Sequence, residues 1–140
     1  MSVIPPPLPR VQHAGNIAWL DLEMTGLDPG RDAILEVALV VTDRELRTLE
    51  EWTTAVWQPE ARIAIMTPFV RDMHDKTGLV ARVRASKIDT FAAERALLDR
   101  ITGFCTYPAV LAGNTIGQDK RFIERHMPGL AGYLHYRTLD

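Results

Sequence analysis

Two carboxylates, Asp21 and Glu23, stand two residues apart in the run NIAWLDLEMTGLDP, residues 16–29. The run opens apolar. A strand's period of two puts both carboxylates on one face, with Cα atoms roughly 6.6 Å apart at about 3.3 Å per residue. Charges placed at the mouth of an apolar strand are costly unless a cation compensates them. Carboxylates so placed can bridge or flank two divalent ions about 3.5–4 Å apart, a pair that activates water and stabilises the leaving oxygen of an in-line displacement at phosphorus. Hard oxygen ligands favour Mg²⁺ or Mn²⁺. The plainer alternative is two solvated carboxylates beside a turn, since Asp-x-Glu is a common tripeptide. The segment GNTIGQD, residues 113–119, bears on the choice. It follows a short apolar run and opens a helix, so Asp119 falls in the first turns. Its charge suits the helix dipole there. It equally suits a third metal ligand beside the first strand, with the N–H groups around Thr115 facing an anionic substrate.

The elements that must position these residues follow from pattern. Ile17, Trp19, Asp21 and Glu23 share one strand face and Ala18, Leu20, Leu22 and Met24 the other. Both faces start apolar, which predicts a central strand covered on both sides. Gly26 and Asp28-Pro29-Gly30 close it. Ala33–Thr42 and Thr48–Gln58 read as two further strands, the last more polar and nearer an edge. Short turns join the three runs, predicting an antiparallel meander. Ile65–Leu79 then turns helical, with Pro68 suited to a first turn and Gly78 to a C-cap. Val80–Lys87 reads as a basic connector, and Thr90–Phe104 as an amphipathic helix. Ala109–Ala112 is a short buried strand, Thr115 to Gln118 has the form of a capping box, Ile116–His126 is a helix, and His135–Leu139 a strand. The order predicts an α/β fold: a mixed sheet of three antiparallel strands and then parallel ones, with helices packed on it.

Length and composition set the frame. The 140 residues fit one domain, with 46% apolar and 24% charged residues. Residues 16–140 form the expected domain. Residues 1–15, with Pro5, Pro6, Pro7 and Pro9, read as a disordered tail. A net charge of −2 excludes a global basic field, so a nucleic-acid substrate is short or held locally. Cys105 is the sole cysteine, which excludes an intrachain disulfide and fits a reducing cytoplasm. No segment has the length and apolarity of a bilayer span, and the N-terminus lacks the pattern of a signal peptide. Trp19, Trp52 and Trp57 fall on the expected strands and read as core or sheet-face residues.

Four blocks, WLDLEMTGLDP, TGLVARVRAS, GNTIGQDKRF and HYRTLD, resemble the oligoribonuclease family of DEDD exonucleases. They run in the family's order from about Asn16 to the end of the chain. The resemblance implies an RNase H-like fold, a homodimer, and two-metal 3′→5′ hydrolysis of very short RNA, with 5′-phosphorylated dinucleotides favoured. It makes Asp21, Glu23 and Asp119 three of the family's four acidic ligands. It makes Leu27 an apolar wedge between two bases, Phe69 an aromatic that stacks on a base, and His74 a lining residue of the same pocket. Thr115 and Arg137 match contacts to the substrate's 5′ phosphate, and Tyr136 matches a tyrosine lent by the partner subunit.

The sequence departs from the family in one place. The family pattern continues past the position of Asp140 to a His-x-Ala-Leu-Asp-Asp motif that supplies the general base and the fourth ligand. Asp140 matches a different aspartate, and His13, His74, His126 and His135 all lie outside that motif. The expectation is a C-terminally truncated domain lacking its last helices and nearly inactive alone. Two alternatives stay open: a non-catalytic fragment that binds metal and nucleotide, and a DEDD exonuclease acting on DNA.

Overall fold

The first strand lies at the centre of a five-stranded sheet. In the computed structural model, which describes residues 10–140, β1 (Ile17–Met24) pairs antiparallel with β2 (Ile34–Thr42), and β2 with β3 (Thr48–Ala55). On its other side β1 pairs in parallel with β4 (Ala109–Ala112), which pairs in parallel with β5 (Leu134–Leu139). The order is β3-β2-β1-β4-β5. This is the expected α/β architecture, three antiparallel strands and then parallel ones.

Alternation on β1 and β2 explains the packing. Leu22, Leu20 and Ala18 stand opposite Val37, Leu39 and Val41 and are all buried. Two helices cover that face: α4 (Thr90–Phe104) with Leu97, Ile101 and Phe104, and α5 (Ile116–His126) with Ile116, Phe122 and Ile123. The other face differs from the expectation. Ile17, Trp19, Ala38 and Val40 are half-exposed, so β1 is central yet buried on one side only. Apolar side chains start that face, but Asp21 and Glu23 continue it, and carboxylates cannot be sealed in without a partner.

A second, smaller core joins Leu35 to Ile63, Met66, Leu79, Val80 and Val83. It belongs to three short helices, α1 (Glu60–Ala64), α2 (Pro68–Lys76) and α3 (Leu79–Ala85). The last replaces the expected basic connector. Val80 and Val83 bury one side of it, while Arg82 pairs with Glu36 and Arg84 with Glu60 on the other. Pro68 opens α2 as expected, and Gly78, at φ 75°, makes the left-handed turn between α2 and α3. A final short helix, α6 (Pro128–Ala131), precedes β5.

Residues 1–9 of the expected tail lie outside the described residues. Its remainder, residues 10–15, lies against the domain. His13 bridges Cys105 in parallel, Arg10 pairs with Asp99, and the Asn16 side chain donates to the Phe104 carbonyl. No described helix is long and apolar enough to cross a membrane.

Candidate active site

The pairing of β4 with β1 ends where Ala112 faces Trp19. Beyond that point the edge of β1 has no strand partner on this side, and the chain must satisfy it otherwise. Gly113 carries the turn tightly over β1, since a Cβ there would lie 2.6 Å from the Leu20 carbonyl oxygen. The turn leads into α5 and brings Asp119 to the strand, where its Oδ2 accepts the Leu22 N–H at 3.1 Å. Asp119 thus replaces a strand partner, between Asp21 and Glu23 in the β1 register.

The three carboxylates lie at one end of β1, near enough to act on one another's charge. Asp119 is only 7% exposed. Its carboxyl is pushed up to about 6, first by burial and further by the charges of Asp21 and Glu23, with the Leu22 N–H opposing. Glu23 is also raised, first by burial and then by Asp21 and Glu36; His74 opposes this. None of the described ion pairs includes any of the three. A register shift interrupts the β1–β2 ladder directly after Glu23. Among the described residues no three His, Cys, Asp or Glu side chains are drawn close enough to hold an ion as they stand. The donor set itself, hard oxygens whose charge is unfavourable without compensation, fits Mg²⁺ or Mn²⁺.

The other expected site residues divide into two groups. Leu27 caps the turn after β1 and is 76% exposed. α2 starts beside that turn, for Thr67 and Val70 line a cleft of about 470 Å³ with Thr25, Gly26, Leu27 and Asp32. Phe69, between them in sequence, is exposed. His74 on the same helix is buried, at 3% exposure, and its Nε2–H donates to the Met24 carbonyl at 2.9 Å, under the end of β1. Thr115 borders Asn114, which shares a cleft of about 320 Å³ with Trp19, Asp21 and Val40.

Tyr136 and Arg137 stand apart, on the edge strand β5, where the Arg137 guanidinium lies over the Tyr136 ring at 5.5 Å. No described hydrogen bond or ion pair joins either to the carboxylates.

The expected capping box is absent. Thr115 is left-handed, at φ 52°, and its side chain caps nothing. Its N–H instead donates to the Asp140 carboxylate at 3.1 Å. Gln118, freed from capping, donates from Nε2 to the Leu27 carbonyl at 2.8 Å. Sequence reasoning missed this link, and also Lys120, whose Nζ donates to the Tyr136 carbonyl at 2.9 Å. Both lie in the block GNTIGQDKRF, which was the available signal.

The profile of the RNase T exonuclease family matches residues 18–140. Over 132 residues the chain is 43% identical to the oligoribonuclease of Francisella tularensis subsp. tularensis (strain WY96-3418), covering 93% of this chain and 74% of that one. It is 46% identical over 134 residues to the oligoribonuclease of Pseudomonas aeruginosa (strain PAO1), covering 93% of this chain and 73% of that one. Among solved structures, exonuclease I in the ExoI/SSB-Ct complex superposes with a TM-score of 0.63 at 17% identity, over 79% of this chain and 23% of that chain. E. coli exonuclease I with a 5cy-dA13 oligonucleotide gives 0.62 at 17% identity, over 77% and 22%. These likenesses show the RNase H-like exonuclease fold.

Proposed function

Because the chain belongs to the RNase T exonuclease family, and within it to the oligoribonucleases, we propose that it serves metal-dependent 3′→5′ hydrolysis of very short RNA, with 5′-phosphorylated dinucleotides as favoured substrates. The observation that carries this reading is buried Asp119 held on the Leu22 N–H, between Asp21 and Glu23 of β1, with its carboxyl pushed up to about 6 by burial and by those two charges. Sites that gather like charges and shift their titration are functional candidates on physical grounds.

Asp21, Glu23 and Asp119 are the residues that hold the divalent ions. Two such ions supply an activated water and charge stabilisation at the leaving oxygen. The chain's own residues do the rest. Leu27 separates the two bases, Phe69 stacks on one of them, and His74 fixes the strand end beneath. Thr115 and Arg137 take the 5′ phosphate, Arg137 with a planar guanidinium suited to it. Tyr136 completes that cap from a second copy of the chain. Its exposed position on edge strand β5 supports a homodimer. A closed cap at the 5′ phosphate limits substrate length. The same reading puts the protein in the cytoplasm.

The motif His-x-Ala-Leu-Asp-Asp does not occur among the 140 residues. A base and a fourth ligand act as a unit with the other carboxylates, so this chain alone turns over orders of magnitude more slowly than one that carries the motif. The test incubates a 5′-phosphorylated diribonucleotide with Mn²⁺ and the 140-residue chain, the same chain extended past Asp140 by a relative's C-terminal segment, and the extended chain carrying Asp21→Ala. Turnover is expected from the extended chain only, and Asp21→Ala abolishes it. No turnover by the extended chain overturns the assignment. Robust turnover by the 140-residue chain overturns the role given to the motif.

A further inference from the structure

We propose that Gln118 and Asp32 are positioning residues that hold Leu27 as a preformed wedge and thereby set the preference for two bases over one. The inference rests on the reading above, in which Leu27 separates the bases of a dinucleotide. What it adds is the source of the wedge's rigidity.

An exposed leucine on a free loop makes a poor wedge, because binding must pay to order it. Leu27 is exposed on a turn whose backbone is held from two directions. From below, the Asp32 carboxylate is 1% exposed and enclosed by the turn. Its Oδ1 accepts the Thr25 hydroxyl at 2.9 Å and its Oδ2 accepts the Asp28 N–H at 3.0 Å, one residue on each side of Gly26-Leu27. The Thr25 Oγ1 in turn accepts the Ala33 N–H at 3.0 Å, so the turn is tied across its base. Gly26 lies directly on the carboxylate: a Cβ there would stand 2.7 Å from the Asp32 Cγ. Only glycine permits so close a fit.

From the side, α5 grips the same turn. Gln118, Phe122 and His126 recur at intervals of four and so form one stripe of the helix. The outer two reach the turn: Gln118 Nε2 donates to the Leu27 carbonyl at 2.8 Å, and His126 Nε2–H to the Pro29 carbonyl at 2.9 Å. Phe122, between them, is fully buried and stacks on His126. Asp119, next to Gln118, bonds the Leu22 N–H of β1. One helix therefore sets both the carboxylate site and the carbonyl of the wedge residue. The spacing between the carboxylate site and the Leu27 carbonyl is fixed by α5.

The experiment measures binding, so it does not depend on turnover. The 140-residue chain is titrated, in Ca²⁺ to keep the substrate whole, with a 5′-phosphorylated diribonucleotide and with the matching 5′ mononucleotide. The unsubstituted chain is expected to prefer the dinucleotide. Gln118→Met keeps the shape and removes the donor; it is expected to weaken dinucleotide binding ~10-fold and to leave the mononucleotide within about twofold. Asp32→Asn is expected to act in the same direction and to speed hydrogen exchange of the Asp28 N–H. Equal losses for both ligands, or no loss for either, would overturn the proposal. An unsubstituted chain with no preference for the dinucleotide sinks the functional reading instead, and this inference with it.

Discussion

The two ends of β1 treat charge in opposite ways. Beside Ile17, carboxylates are paired with arginines. Arg10 reaches Asp99 at 2.9 Å and Glu50 at 3.8 Å, and Arg47 reaches Asp43 at 2.6 Å. Asp43 also accepts the N–H groups of Glu45 and Arg47, and these bonds hold its carboxyl below the usual range. Beside Met24, Asp21, Glu23 and Asp119 crowd together, and burial leads in pushing Glu23 and Asp119 upward. The Ile17 end borders a hollow of about 530 Å³, larger than the cleft beside Asp21 or the one beside Leu27. Of its charged wall, Asp43 and Glu45 both pair with Arg47, while Arg44 joins none of the described ion pairs. Gathered like charge, more than volume, singles out the Met24 end as the candidate site.

The largest test of that contrast removes charge at each end in turn. In the chain extended past Asp140, Glu23→Ala is expected to lower diribonucleotide hydrolysis by ~10³-fold or more, because ligands and water act as one unit. Arg10→Ala, at the paired end, is expected to leave the rate within about twofold, as surface pairs contribute little. A comparable loss from both would mean that the two ends do not differ in kind.

The second test is thermodynamic, with a definite sign. The Asp119 carboxyl titrates near 6 in the folded chain, against about 3.8 when exposed. Folding therefore disfavours its charged form. The penalty is fully present above about pH 6 and disappears below about pH 4. In EDTA, Asp119→Asn keeps an acceptor for the Leu22 N–H and loses the charge. It is expected to stabilise the chain by about 1–3 kcal/mol at pH 7.5 and by nothing near pH 3.5. Mn²⁺ is expected to reverse the order by raising the melting temperature of the unsubstituted chain more than that of the variant. A variant less stable than its parent in EDTA at pH 7.5 would show that the charge is compensated after all.

Much of this was legible in the sequence, for reasons that also explain what was not. Asp21 and Glu23 were placed by a period of two that no packing can change, and Thr90–Phe104 by an apolar stripe that the core keeps intact. Asp119 was placed on its helix by the strand-turn-helix order of its segment, though its bond to Leu22 was not visible. The basic residues of Val80–Lys87 concealed α3, because Arg82 and Arg84 find carboxylates only after α1 and β2 are in place. Thr115 and Gln118 matched a capping box by type. The left-handed Thr115, after the close approach of Gly113 to β1, sends Gln118 to Leu27 instead, a contact between residues far apart in the chain. Local pattern reveals faces and ends; it does not reveal which carbonyl a glutamine will meet.

The smallest test sharpens the contrast by placing one carboxylate from each end side by side. Asp43 has its carboxyl lowered, first by the Arg47 N–H and then by the Arg47 side chain, so its charged form is favoured by folding. Its stabilising effect is present above the unfolded value near 3.8 and lost as pH falls through the folded one. Asp43→Asn is therefore expected to lower the melting temperature slightly at pH 7.5, opposite in sign to Asp119→Asn and smaller. Because the pair is exposed, added salt is expected to shrink the loss. The two profiles also separate by range: the gain from Asp119→Asn fades between about pH 6 and 4, while the loss from Asp43→Asn persists to about pH 4 and fades below it. Dinucleotide affinity is expected to be unchanged by Asp43→Asn. Melting curves of the two variants across pH 3 to 8 in EDTA check both sign and range, and profiles of the same sign would remove the distinction between the ends of β1.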